Sequence, residues 1–335
     1  MGGAANDNAN YHAVCPGAPN DTARCNSYYT TDEHGNPAVS SSPTGLSPAT
    51  VKAAYNFTTS ATAGAGKTIA IVDAYDDPTA ESDLGVFTSQ YGLPACTTGN
   101  GCFTKVSQTG GSNYPRKDAG WALEISLDVQ WAHAIAPGAH ILLVEAQSNS
   151  FSNLLAAEDY ANGHANYVSN SWGASEFSGE SAYDSHFAVG KAFVSSGDSG
   201  TPAEYPSSSP NVISVGGTTL HFSGGNFSSE TGWSGSGGGC SAYESKNSSQ
   251  NTGSVNCSGK RATPDVSLDA DPASGVSVYD STPYRDITSG NRGAPCLVGF
   301  DLCSGARQLD RLAPPAGSNR EPPRTGGSRL LRGEA

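Results

Sequence analysis

Apolar positions in this chain gather into short runs separated by polar, glycine-rich stretches. A run of four to eight apolar residues bounded by turn residues reads as a buried strand. Apolar residues three and four apart read as one face of a helix. By that rule 67–73 (KTIAIVD), 139–145 (AHILLVE), 167–172, 192–196 and 212–215 are expected strands, with 105–107 and 276–279 as shorter ones. Helices are expected at 78–90, around Leu84, Val86 and Phe87, and at 150–162 and 181–190. The clearest helix is 119–136, where Trp121, Ile125, Val129 and Ala132 share a face and Pro137-Gly138 ends the element. Thr50 is placed to cap a short helix carrying Val51, Ala54 and Tyr55. Strand–helix–strand alternation of this kind predicts an α/β fold with a mostly parallel, doubly wound sheet. Residues 1–45 read as irregular and 222–262 as glycine- and serine-rich loop. After Cys303 a stretch with six arginines reads as disorder.

Composition narrows the class. The 335 residues suit one large domain or two modest ones, and 36% hydrophobic residues can build a core. Only 15% of residues are charged, which argues against disorder and against long helical bundles. A net charge of -13 gives no attraction for a polyanion, so nucleic acid is excluded as a partner. No stretch of 18 apolar residues exists, so no membrane span is expected. The eight cysteines fall into close pairs, Cys15/Cys25, Cys96/Cys102, Cys240/Cys257 and Cys296/Cys303. Eight cysteines allow 105 pairings, so local pairing is one expectation among many. The even number and loop placement favour disulfides over metal, the histidines are not clustered near the cysteines, and a secreted, extracellular protein is expected. The start, MGGAANDNAN, lacks the basic and apolar regions of a leader, which stands in tension with export.

Candidate chemistry lies first at Glu124 and Asp128. Four apart on a helix, they share one face. Two carboxyls so placed disfavour joint ionisation, and one can hold a proton to higher pH. Flanking Trp121, Leu123, Ile125, Leu127, Val129 and Trp131 make the helix look buried, where unused charge is costly. Asp198 follows an apolar strand in a Ser-Ser-Gly-Asp-Ser-Gly turn, the end of a parallel strand at which ligands bind. A turn-forming aspartate explains it equally well. Asp73 sits at another strand end and can be a turn acid. The stretch 169–173 can present an edge to an extended peptide, or be core.

These stretches resemble the sedolisins, the serine-carboxyl peptidases, which have a subtilisin-like fold. The likeness runs from about Leu46 to Tyr284, with a further piece from Asp286 to Gly305. It includes GLSPATVKAAYNF, GKTIAIVDAYDDP, EISLDVQWAHAIAPGAHILLVEA, VSNSWG, SSGDSG, YPSSSPNVISVGGTTL and ATPDVSLDADPASGVSVYD. The resemblance implies a peptidase domain over 46–305, flanked by an irregular 1–45 and an off-pattern tail at 306–335. It implies Glu124 as general base, Asp128 as the acid that orients it, and Asp198 as a protonated oxyanion donor. Ser171, Trp172 and Gly173 would pair with substrate, with Gly237 and Gly238 across the cleft. A carboxylate base works where imidazole is fully protonated, and an aspartic acid donates to an oxyanion only while it holds its proton.

The departure concerns the nucleophile. The family carries it in a Gly-Thr-Ser-x-Ser-Ala-Pro segment, and this chain passes from Ser281-Thr282-Pro283-Tyr284 directly to Arg285-Asp286-Ile287. The latter resembles the family's calcium loop. It implies Ca2+ ligands at Asp286, Ile287, Leu297, Gly299 and Asp301, an oxygen set that suits calcium. Two loop acids beside a Cys296–Cys303 bridge are the plainer alternative. The expectation is thus a monomeric, acid-acting serine-type endopeptidase by descent, working through an acyl-enzyme on peptide or unfolded protein. This chain is expected to be inactive as written, and the alternative is a non-catalytic peptide-binding protein.

Overall fold

The computed structural model describes residues 11–15, 17, 19, 21–31, 43–250 and 256–282. The chain opens with three short strands, β1 (Tyr11–Ala13), β2 (Arg24–Cys25) and β3 (Tyr28–Thr30). The described part of the first 45 residues is therefore not all irregular. β1 pairs with β3, Cys15 is bonded to Cys25, and β2 finds its partner about 150 residues away. No local pattern announces so distant a pairing.

α1 (Pro48–Ala54) begins at Ser47, whose side chain accepts the Thr50 N–H. Thr50 therefore lies inside the first turn and is not the cap. Strands β4 (Thr68–Ala74), β5 (Phe103–Ser107), β6 (His140–Ala146), β7 (Tyr167–Asn170), β8 (Trp172–Ser175), β9 (Ala192–Ser195), β10 (Glu204–Tyr205) and β11 (Ile213–Ser223) follow. Between them lie α2 (Ala80–Tyr91), α3 (Ala119–Ile135) and α4 (Phe151–His164). The parallel order β11-β9-β7-β4-β6-β5 is the expected doubly wound sheet.

Side-chain alternation sets its two faces. Ala70, Val72, Leu142 and Val144 pack with Leu154, Leu155, Ala157 and Ala161 of α4. Ile71, Ile141 and Leu143 pack with Leu84 of α2 and with Ile125 and Val129 of α3. Each valine, leucine or isoleucine among them contributes about 1.5–3 kcal/mol on removal from water. The same parity puts Asp73, two residues beyond Ile71, on the α3 face with Glu145, its register partner on β6.

Four other expectations are corrected. Residues 167–172 are not one strand: β7 belongs to the large sheet and β8 to a separate sheet of order β10-β8-β2. The 181–190 helix is a 3-10 turn over Glu180–His186. The 222–262 loop holds β12 (Asn226–Gly232), β13 (Gly239–Ser245) and β14 (Lys260–Thr263), and β15 (Val266–Asp269) follows beside β11. The β11–β12 hairpin turns at Gly224-Gly225, both at positive φ, a glycine signal that composition alone hid. Residues 276–279 form no strand. Val276 makes only an isolated parallel bridge with Leu46, and Gln130 and Trp131 side chains bind the backbone of Tyr279 and Ser277.

Three disulfides, Cys15–Cys25, Cys96–Cys102 and Cys240–Cys257, form between the sequence neighbours. The Cys296/Cys303 pair, all five calcium-loop residues and the tail lie outside the described residues. His133, distant in sequence, comes to lie beside the Cys96–Cys102 bridge. Sulfurs already joined to each other are not thiolate ligands, so this group is not a metal site. Among the described residues no helix is long and apolar enough to cross a membrane.

Candidate active site

α3 is capped by Asp118, whose carboxylate accepts the N–H groups of Gly120 and Trp121 at 3.2 Å. From that start Glu124 and Asp128 fall one turn apart on the face turned to the ends of β4 and β7. Glu124 is fully buried. Burial holds its carboxyl well above the ordinary carboxylate range, and the charges of Asp128 and Asp73 push the same way. Asp128 is raised by burial and lowered by the Ser171 hydroxyl, which donates to its Oδ1 at 3.1 Å. Asp73 is buried beneath them and is raised by burial, then by Asp128 and Glu145. One oxygen each of Glu124 and Asp128, and both of Asp73, are buried without a hydrogen-bond partner among the described residues. Carboxyls packed this way share protons, because joint ionisation in a dry site is prohibitively costly. Three buried carboxyls, Glu124, Asp128 and Asp73, are thus brought together.

Asp198 leaves the end of β9 in a tight turn. Gly197, at φ +103°, permits the turn, and a Cβ there would fall 2.6 Å from the Glu204 carboxyl carbon. Burial pushes the Asp198 carboxyl up to about 7; nearby Arg24 opposes this and Glu204 adds to it. It is therefore an acid that keeps its proton through the mildly acidic range. Gly237 closes the turn, its N–H donating to Gly197 O at 2.6 Å while Ser196 Oγ donates to Gly237 O at 2.8 Å. A Cβ at Gly237 would lie 1.9 Å from Ser196 O, so this close approach requires glycine. Gly238 N–H binds Gly200 O at 3.2 Å. Gly237 and Gly238 thus stand against the Asp198 turn.

Ser171, Trp172 and Gly173 line one edge of β8. Trp172 is fully buried, its indole donating to Val72 O at 3.0 Å, so only backbone is offered outward. That edge is occupied by the chain itself. Arg24 and Cys25 pair antiparallel with Gly173 and Trp172, and the Asn26 N–H donates to Ser171 O at 2.8 Å. The same segment reaches both halves of the site. Ser27 Oγ donates to Glu124 Oε2, and Tyr28 Oη donates to the Asp198 carbonyl at 3.2 Å. These residues were not identified from sequence. No local signal marks Arg24, Ser27 or Tyr28, whose roles arise from a strand pairing across the molecule.

A parallel α/β sheet with a buried Glu–Asp pair on one helix and a raised aspartic acid at the end of a neighbouring strand defines a subtilisin-like protein of carboxyl type. Residues 116–295 match the subtilase family, Peptidase_S8. Sedolisin of Pseudomonas sp. (strain 101) is 31% identical over 284 residues, 72% of this chain and 47% of that protein. Kumamolisin of Bacillus sp. (strain MN-32) is 31% identical over 317 residues, 83% and 54% of the two. The solved structure of Pseudomonas sedolisin, a serine-carboxyl proteinase complexed with two molecules of pseudo-iodotyrostatin, superposes with a TM-score of 0.61 at 30% identity. That match covers 71% of this chain and 74% of the other. The chain belongs to the sedolisin family. It spans about half the length of the curated relatives it matches.

Proposed function

We propose that the chain is a serine-carboxyl peptidase domain whose base, orienting acid and oxyanion donor are assembled but which forms no acyl-enzyme. The supporting observation is the buried Glu124–Asp128–Asp73 group, with Asp198 close enough for its charge to act on Glu124. With a serine in place, Glu124 would accept the hydroxyl proton as the oxygen attacks the peptide carbonyl carbon. Asp198 would donate to the oxyanion, and Glu124 would return its proton to the departing amine. Water would then hydrolyse the ester by the same route. The family's Gly-Thr-Ser-x-Ser-Ala-Pro segment occurs nowhere in the 335 residues. Ser27 donates to Glu124, but it lies in the segment that follows β2, the strand paired with the β8 edge. Carboxyls alone do not attack the amide.

The second reading is a peptide-binding protein without turnover. The β8 edge, which already holds an extended segment of this chain, favours it. Export to an oxidising compartment belongs to the proposal, supported by the three disulfides. So do a monomeric state and Ca2+ at Asp286, Ile287, Leu297, Gly299 and Asp301, supported by their oxygen chemistry. Incubation with an unfolded protein between pH 3 and 5 tests the reading. No new peptide termini are expected. Turnover that is lost on Glu124→Gln would overturn the inactivity.

A further inference from the structure

We propose that the Cys96–Cys102 bridge and His133 form a redox-gated site for a thiophilic divalent ion such as Zn2+, closed while the sulfurs are joined and opened by reduction. The group lies where the segment between α2 and β5 meets the last turn of α3. One ligand atom from each of the three residues lies within 4.8 Å of the other two. His133 Nδ1 is 4.0 Å from Cys102 Sγ. A tetrahedral ion with bonds of about 2.3 Å to sulfur and about 2.0 Å to nitrogen holds neighbouring ligand atoms about 3.5–3.8 Å apart. The imidazole therefore needs to move little to reach a ligand's place.

The far side of the ring sets its tautomer. Nε2 stands 2.8 Å from the Pro94 carbonyl oxygen, which can only accept. Nε2 thus carries the proton, and Nδ1 offers its lone pair on the side of Cys102. A carbonyl that holds the second nitrogen in this way is a common support of a metal-bound histidine. His133 is fully buried and Cys102 half-buried, so the fourth position faces solvent on the Cys102 side. The residues joining the sulfurs, 97–101, are mostly exposed and include Gly99 and Gly101, with open space around Gly101. That loop can widen as the sulfurs part. Thiolate and imidazole together select zinc-type ions over Ca2+ or Mg2+. Reduction supplies the thiolates. With a trialkylphosphine the S–S bond breaks and both sulfurs become thiols. Phosphorus is oxidised to the phosphine oxide, and one water supplies its oxygen and the two protons. The ion then displaces both thiol protons to solvent as two metal–sulfur bonds form. In a reducing compartment two thiol molecules serve as the reductant and end as their own disulfide. The ion would tie the loop to α3, the helix of Glu124 and Asp128, in place of the bond between the two cysteines.

The test reduces the full chain with a trialkylphosphine, removes the reductant without air, and titrates Co2+, whose thiolate charge-transfer absorption reports sulfur ligands. One Co2+ per chain is expected beyond the binding shown by Cys96→Ser/Cys102→Ser, which keeps every other cysteine. Zn2+ should displace it. His133→Ala should weaken the Co2+ affinity by at least about tenfold. Zn2+ should raise the melting temperature of the reduced chain and leave that of the oxidised chain unchanged. Absorption no greater than that of Cys96→Ser/Cys102→Ser, or an affinity that His133→Ala leaves unchanged, overturns the site. His133→Gln, which can still donate to the Pro94 carbonyl, takes the place of His133→Ala if that variant does not melt cooperatively. If the reduced parent chain does not melt cooperatively, Zn2+ should restore the transition in the parent and not in Cys96→Ser/Cys102→Ser. Failure to restore it overturns the site as well.

Discussion

Replacing Asp198 by asparagine removes one titrating group while keeping its shape and its place in the turn. Its carboxyl is shifted from 3.8 to about 7, chiefly by burial. Below about pH 4 the group is protonated in both the folded and the unfolded chain, and it adds no pH dependence. Between about 4 and 7 the unfolded chain loses the proton and the folded chain keeps it, so stability falls as pH rises. Above 7 the full cost applies. About three units at 1.36 kcal/mol each set an upper limit of about 4 kcal/mol. Asp198 keeps some contact with solvent, which reduces the expected effect to about 2–4 kcal/mol. Urea unfolding at pH 4 and pH 8 measures it. The parent chain should lose about 2–4 kcal/mol more between those pH values than Asp198→Asn does. Equal losses in the two proteins would refute the claim that folding holds this carboxyl in its acid form, and with it the oxyanion-donor assignment.

Glu158, fully buried in α4 and pushed up to about 8 by burial, should behave alike: Glu158→Gln raises the melting temperature at pH 8 and not at pH 4. Gly237→Ala should lower stability by more than about 2 kcal/mol in a thermal melt, because the new methyl meets the Ser196 carbonyl. Cys15→Ser/Cys25→Ser releases the staple behind the cleft strand and should weaken its docking by about 2–3 kcal/mol. Trypsin cleavage after Arg24 should then be faster than in the parent chain, and an unchanged rate would count against the staple.

The parts of the fold legible in the sequence were those with local causes. β4, β6, α3 and α4 have continuous or helical apolar patterns, and their ends fall within two residues of the periodicity. Glu124 and Asp128 were legible for the same reason, since one helical turn alone brings them together. Elements stabilised by distant partners were not. β2 has two residues and gains its hydrogen bonds from β8. β12 is exposed along its length, so burial leaves no alternation to read. The 276–279 run is apolar enough for a strand, yet its backbone is bound by two side chains of α3. Strand β2 is the main structural addition: it ties an N-terminal stretch expected to be irregular to the edge of β8.

The central claim is a carboxyl-type peptidase site that is assembled but lacks turnover. The most direct measurement is mass-spectrometric detection of new peptide termini from an unfolded protein incubated with the purified chain at pH 4. The expected result is none above the level of Glu124→Gln. New termini from the parent chain that disappear in Glu124→Gln would contradict it.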